Sequence, residues 1–388
     1  MSKILLTEAV APSTPAAGKV AVYAKTDGLL YQKDDAGVEF GLTPLVAIAK
    51  YYDHDQTWVR KTGDNSVIQS PNEIMLRIGN NSYFLSAQIE LDVDTAGDWD
   101  TVVGTDYSVA ANRAGKDFYV YAVQPVSGSV PDFCLSANST VPDGYTADNS
   151  RKVAGFHCLC VAAGTIAGHT LTGYLQGDIL PASVWDLYHR PIASSEGMVY
   201  SEQAGLWVDI YLASGTGVST ASANGGTISD TRNWMDFVDD FAAVKKMLLD
   251  DIEFQIIAAG SNEETNIAGS ADPGTTGGHS DTAARRMVSN IGCEDCCGAM
   301  WQWLKDHSYR MDGVDLAASQ AWAYYDLPGA KGSLYKQGTY GDVKLLAGGT
   351  WANAANSGSR SRRADYCRWA AYTSIGGRGR SEPRANRF

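Results

Sequence analysis

The chain has 388 residues, a formal net charge of −13 and a pI near 4.9. That length exceeds one ordinary domain and fits two or three, and the acidity argues against a general nucleic-acid binder. Its 44% hydrophobic and 19% charged residues can furnish large buried cores. Forty glycines and twenty tyrosines, with little helical periodicity, point to many short strands joined by turns. The apolar run at Met1–Glu8 is too short for a signal peptide, and no later segment reaches transmembrane length. The expectation is a soluble chain made in a cytoplasm, with no membrane insertion.

Residues 1–44 offer two short strands, Val20–Ala24 and Leu29–Gln32, around the turn Thr26-Asp27-Gly28. So small a piece buries little by itself, which predicts an attachment segment that pairs with its own copies. Residues 45–178 read as all-β, with Ser66–Gln69, Glu73–Ile78, Tyr83–Leu85 and Phe118–Val123 as strands. Turn residues such as Gly79-Asn80-Asn81 recur at sandwich-like spacing. A strand from Lys152 to Val161 would place Cys158 and Cys160 on one face as packed thiols.

Residues 179–388 form the third unit. Strands are expected around Met198 and over Leu206–Leu212. An amphipathic helix spans 234–248 on Trp234, Phe237, Val238, Phe241, Val244, Met247 and Leu248, entered at Ser229 or Asp230. A second helix runs from Asp251 to Ala259 and stops at Gly260. Residues 261–292, rich in Gly, Ser, Thr and Asp, read as a long surface loop. Gly298–Trp303 is a strand with Trp301 and Trp303 on one face, and Val343–Gly349 is the strand that leads into the closing ribbon.

Catalytic patterns are absent. The six histidines are scattered, and there is no GxSxG elbow, P-loop or dinucleotide fingerprint. Asp239-Asp240 and Asp250-Asp251 read as solvated faces. Cys293-Glu294-Asp295-Cys296-Cys297 contains a CxxC spacing, but no second pair of ligands stands nearby, so these read as structural thiols with no metal. No cofactor is implied.

The ribbon from Gly348 to Arg380 differs from the rest. It mixes Arg, Tyr, Trp, Asn, Ser and Gly, the residue types that protein-binding surfaces use for rigid area and adaptable hydrogen bonds. No Lys, Glu, Gln or Met lies between Gly349 and Ser381, where their share of the whole chain would place about four.

Gly298-Ala299-Met300-Trp301-Gln302-Trp303, Gly348-Gly349-Thr350-Trp351 and Ile375-Gly376-Gly377-Arg378 resemble the core motifs of the C-type lectin fold in formylglycine-generating-enzyme-like domains. More closely, the chain from about residue 45 onward resembles variable proteins of diversity-generating retroelements, of the tropism-determining kind found at phage tail-fibre tips. Arg151–His157, Val184–Leu187 with Arg190-Pro191, Gly197-Met198, Trp207–Leu212 and Ser357–Arg360 carry that likeness. The N-terminal segment also looks like the start of phage tail and baseplate proteins.

The resemblance implies a β-rich multidomain chain: an N-terminal β segment, a β-sandwich and an α+β C-type lectin fold domain. It implies a homotrimer on a virion tail fibre, non-enzymatic, that binds a receptor on the host bacterium, taken as a protein, through a hypervariable region at about 349–375. Adenine-directed mutagenesis of Asn-type codons reaches small, aromatic and Arg residues but not Lys, Glu, Gln, Met or Trp, which matches the gap above. The positions it assigns to ligand binding are Thr350, Ala352, Asn353, Ala355, Asn356, Arg363, Asp365, Tyr366, Cys367, Ala370, Tyr372 and Ser374. Trp351, Gly358, Arg360, Arg368, Trp369, Gly376, Gly377 and Arg378 are left as fixed scaffold. Glu382-Pro383 is followed by Arg384, so the calcium–sugar motif of true lectins is missing. The alternatives are a formylglycine-generating-type oxidase and a tail or adhesin structural protein without diversification.

Overall fold

The computed structural model describes residues 11–25, 30–41, 52–54, 56–100, 104–128, 130–310, 321–324, 333–336 and 341–384. The chain is β-rich, with seven sheets among these residues.

Ala21–Ala24, Leu30–Lys33 and Glu39–Gly41 form an antiparallel sheet. Two of its strands lie within a residue of expectation, and the third adds an edge that no alternation marked. The Thr26-Asp27-Gly28 turn lies outside the described residues. Tyr23 faces Tyr31 across the first pair, rings 6.1 Å apart.

The next part is built of three sheets. One pairs Ile74–Ile78 with Tyr52–His54 and Asn81–Leu85, and a second joins Val59–Arg60, Val67–Gln69 and Glu90–Asp92. The third runs in the order Asp132–Ser136, Asp117–Val123, Ser150–His157, Trp185–Asp186. Strand alternation directs Ile74, Leu76 and Ile78 inward while Met75 faces out. Side chains from all three sheets, including Ile68, Leu85, Leu91, Phe118, Val120, Leu135 and Val153, meet in one core, the packing of a sandwich.

Asp117–Val123 is buried on both faces. Phe118, Val120 and Ala122 enter that core, whereas Tyr119, Tyr121 and Val123 pack on Trp185, Met198 and Trp207. This second face fastens the sandwich to the C-terminal half. Ser150 starts a strand that ends at His157, short of the expected Val161. Because the chain leaves the sheet there, Cys158 and Cys160 do not share a face: Cys158 packs in the sandwich core and Cys160 in the next.

The C-terminal half combines helices with two main sheets. Met198–Ser201, Leu206–Asp209, Gly379–Ser381 and Met247–Leu248 form one. The other has six strands in the order Ala321–Tyr324, Ser333–Lys336, Gly358–Cys367, Gly341–Gly348, Trp301–Arg310, Ile375–Gly376. The helix Trp234–Ala243 enters at Asn233 and not at Ser229 or Asp230. The Asn233 side chain accepts from the Met235 and Asp236 amides, and Asp236 answers with the reciprocal bond. The helix stops before Val244, and Lys245 takes φ 61°. Met247 and Leu248 therefore belong to a strand, not to the helix.

Asp250 caps the helix Asp251–Ile257 with its own reciprocal pair to Glu253, and Asp251 ion-pairs with Arg362. Asp240 is buried, pairs with Arg232 at 2.7 Å and accepts from the Gly217 amide. Only Asp239 of these four acids behaves as a plain solvated residue. The reading of both pairs as solvated faces fails because helix ends and close turns recruit carboxylates as acceptors.

Residues 261–292 are irregular but are not the surface loop expected. Asn262, Thr276, Met287, Val288 and Ser289 are buried. Buried irregular backbone needs side-chain partners: Asp281 accepts from the amides of Ala283 and Arg285, and Asp295 from that of Gly277. The Gly, Ser, Thr and Asp content thus marks tight, internally bonded turns.

Candidate functional site

The ribbon begins where Gly341–Gly348 ends. Gly348 and Gly349 both have positive φ, 93° and 87°. A Cβ on Gly348 would stand 2.4 Å from the Cys296 carbonyl oxygen, so the backbone turns where only glycine fits. Thr350 is buried; its amide and hydroxyl donate to Asn353 Oδ1 at 2.7 and 3.0 Å. Trp351 is half-buried between two small clusters, one of Leu212, Ile228 and Met300, the other of Ile267, Met287 and Ala299. Ala352 and Ala355 are exposed, and Asn353 and Asn356 half-buried, around a short 3-10 turn at Ala354–Asn356.

The strand Gly358–Cys367 is anchored at its start by Glu263. The carboxylate accepts from the Ser359 amide at 3.0 Å and the Ser359 hydroxyl at 2.5 Å, and Gly358 leaves no room for a Cβ beside it. Arg362 is buried over the Phe254 ring, bonded to Asp251 and to the carbonyls of Ser359 and Ser361. Further on, Lys344 pairs with Tyr366 and Leu346 with Arg363, so Ala364 and Asp365 stand together opposite Leu345. This is a β-bulge, and it re-aims the side chains beyond it.

Around the bulge the side chains form a stack. Arg363 grips the buried Asp365 carboxylate with two bonds, 2.7 and 2.9 Å. Its guanidinium lies 3.9 Å from the centroid of the Tyr366 ring, which stacks on Tyr372 at 4.8 Å and 23°. Tyr366 and Ala370 also touch the core of Phe237, Phe241, Trp301, Trp303, Leu346 and Ile375. Cys367 is half-buried, as is Ser374.

The loop 368–374 is held by its backbone. Trp234 N donates to the Arg368 carbonyl, Thr231 N and Ile375 N to that of Tyr372, and Trp301 N to that of Ser374, all at 3.0–3.1 Å. Bonds made by the main chain leave side-chain identity free. Trp369 is 67% exposed and Tyr372 48%. Reading Trp369 as scaffold is therefore corrected: its indole stands on the surface, because the loop has left the sheet before reaching it. Arg360 and Arg368 are exposed as well. Arg378 behaves as scaffold: fully buried, it donates to Gln302 Oε1 and to the carbonyls of Asp209, Ile210 and Glu294.

Of the twelve expected positions, Ala352, Ala355 and Tyr372 point outward, and Thr350 and Asp365 point inward. The other seven lie half-buried at the same rim. Two residues outside that set belong to the site. Trp369 adds exposed area, and Arg362 fixes the strand from beneath. The sequence carried no signal for Arg362, because three arginines in four residues leave open which one faces in.

Cys293, Cys296 and Cys297 are fully buried in a core with Leu159, Leu249, Phe254 and Ile257. Burial pushes the thiols of Cys293 and Cys297 well above the ordinary cysteine range, which suppresses their thiolates; for Cys296 burial is outweighed by its hydrogen bond with Cys293 and by Arg378, and its pKa falls below that range.

The fold and this surface define the class: a β-rich protein whose last half is a C-type lectin fold displaying an aromatic and arginine patch on a rigid strand frame. Within it, the chain resembles the major tropism determinants, with residues 59–186 matching the model of the Mtd second domain. A tail fiber receptor-binding protein of Bordetella phage BPP-1 is 28% identical over 280 residues, 66% of this chain and 68% of that one. The U1 variant of the major tropism determinant superposes with a TM-score of 0.66 at 23% identity, covering 95% of this chain and 96% of that one. The M1 variant does so with 0.67 at 23% identity, covering 95% of each. These structural likenesses define the fold.

Proposed function

We propose that this chain is the receptor-binding protein of a phage tail fibre, and that its closing ribbon makes the contact with a protein receptor on the host bacterium. The observation that carries this reading is the separation of roles in the ribbon. Backbone bonds and buried Arg362 and Arg378 hold the frame, while Tyr372, Trp369, Ala352 and Ala355 spend their side chains on the surface. Surface substitutions away from such anchors usually shift stability by under about 0.5 kcal/mol, which is what a diversified surface requires.

The proposed contact set is Thr350, Ala352, Asn353, Ala355, Asn356, Arg363, Asp365, Tyr366, Cys367, Ala370, Tyr372 and Ser374, with Trp369 as a fixed neighbour. Thr350 and Asp365 would shape it from below. The proposed division of the chain is 1–44 for attachment, 45–178 for the sandwich and 179–388 for the lectin-fold unit. Three copies together would convert weak single contacts into avid attachment. The function is non-enzymatic: the relatives are named for receptor binding and tropism, and the CxxC thiols that an oxidase would use are sealed in a core.

Two measurements test this. The DNA beside the gene should carry a near-identical repeat of the 349–375 coding segment and a reverse transcriptase; without them diversification is refuted. Separately, purified chain should attach to host cells, and Tyr372→Ala should abolish attachment while leaving the melting temperature nearly unchanged. Retained attachment would move the contact surface elsewhere.

A further inference from the structure

A cavity of about 640 Å³ opens in the sandwich part, away from the ribbon, between the Gly79–Asn80 turn, the strand Ser150–His157 and the segment ending at Arg190. Arg77, Arg151, Lys152 and Arg190 line it against one carboxylate, Asp148. Four cationic side chains line one space in a chain of net charge −13, and like charges gathered there favour an entering anion. Gly79 closes one wall: its φ is +56°, and a Cβ there would come within 2.3 Å of the Asp148 carbonyl oxygen.

Lys152 and Arg151 make contacts with neutral groups. Lys152 Nζ donates to the Ser139 carbonyl at 2.7 Å and lies over the Tyr119 ring at 4.5 Å. Arg151 donates to the Arg77 carbonyl at 3.2 Å and lies over Tyr52 at 5.5 Å. Among the described residues neither Lys152 nor Arg190 forms an ion pair, and the buried Nε of Arg190 has no hydrogen-bond partner. Burial lowers the pKa of both; for Lys152 Glu196 opposes this and Arg190 adds to it, and for Arg190 Arg384 adds to it and Asp186 opposes it. An unpartnered buried donor is a cost to the fold, and the Arg190 side chain that carries it lines this cavity.

We propose that this cavity binds an oxyanion, a carboxylate, sulfate or phosphate group, with Arg190 and Lys152 as its direct partners and Arg77 and Arg151 completing the positive wall. The space exceeds what one ion fills and lies in the range of small-molecule sites, so the group can arrive free or as part of an acidic saccharide. This site is separate from the ribbon.

The test is calorimetric titration of the full chain with inorganic sulfate and, separately, with glucuronic acid, at matched ionic strength. Saturable binding is expected, weakened at least about tenfold in both Arg190→Gln and Lys152→Gln and unchanged in Tyr372→Ala. Glucuronic acid binding at least about tenfold tighter than sulfate would assign an acidic saccharide; comparable binding would assign a free oxyanion. Should Arg190→Gln fail to fold, Lys152→Gln decides alone. No saturable binding up to about 50 mM, or binding undiminished in the folded variants, overturns the proposal.

Discussion

Arg363 holds Asp365, two residues along the same strand, through paired bonds of 2.7 and 2.9 Å while its guanidinium covers the Tyr366 ring. The bulge at Ala364–Asp365 makes this geometry available, and the pair sets the angle of the Tyr366–Tyr372 stack. Both Arg363 and Asp365 sit at positions expected to vary, so their coupling has a measurable consequence. Arg363→Ala leaves a buried carboxylate without its guanidinium and should cost about 3 kcal/mol. Arg363→Ala combined with Asp365→Ala should cost less than the sum of the single changes. Denaturant melts of the three variants measure this; strict additivity would show that the pair is not coupled.

The two tyrosines of the stack should separate in behaviour. Tyr372 is half-exposed and bonded through its backbone, so Tyr372→Ala should change stability by under about 0.5 kcal/mol. Tyr366 touches the core around Trp301 and Trp303, and Tyr366→Ala should lose about 1–3 kcal/mol. Thermal melts alongside attachment assays distinguish them, and equal losses would contradict this placement.

Glu263 should matter to the ribbon although it is 96 residues from the Ser359 it binds. Both bonds end on one carboxylate oxygen, so Glu263→Gln can keep both through its amide oxygen but loses their charge-assisted strength, and a cost of about 1–2 kcal/mol is expected. Hydrogen exchange should quicken at the Ser359 amide while the sandwich strands stay protected. Unaltered exchange there would remove Glu263 from the anchoring role.

His279 gives a pH dependence. Burial opposes its protonation, but the Asp295 carboxylate 2.9 Å away outweighs burial and raises the ring's pKa above its ordinary value. A raised folded-state pKa makes protonation favour folding. The contribution is therefore full below the unfolded value of about 6.5 and disappears as pH rises through the raised value. His279→Gln should reduce the loss of melting temperature between about pH 6 and pH 8 relative to the parent. An unchanged difference would show that another group controls it.

Sequence by itself determined the β-rich class, the sandwich strands, the existence of both helices and the motifs Trp301-Gln302-Trp303 and Gly348-Gly349. Each rests on local chemistry: alternation, periodicity, and glycine where φ is positive. Composition also set the ribbon apart, through its Arg, Tyr, Trp and Asn content and its lack of Lys, Glu, Gln and Met. What tertiary structure decided was direction and partnership. The helix entry moved to Asn233 because its side chain, not that of Ser229 or Asp230, reaches the free amides. The Gly-rich 261–292 segment is internal because Asp281 and Asp295 bond its backbone. Trp369 stands outward and Arg362 inward because the loop departs from the sheet and Phe254 and Asp251 wait beneath the strand. The helix cap and the Asp281 turn are local choices among competing neighbours, whereas Arg362 depends on Asp251, 111 positions away, and a one-dimensional pattern carries no record of which distant side chain arrives.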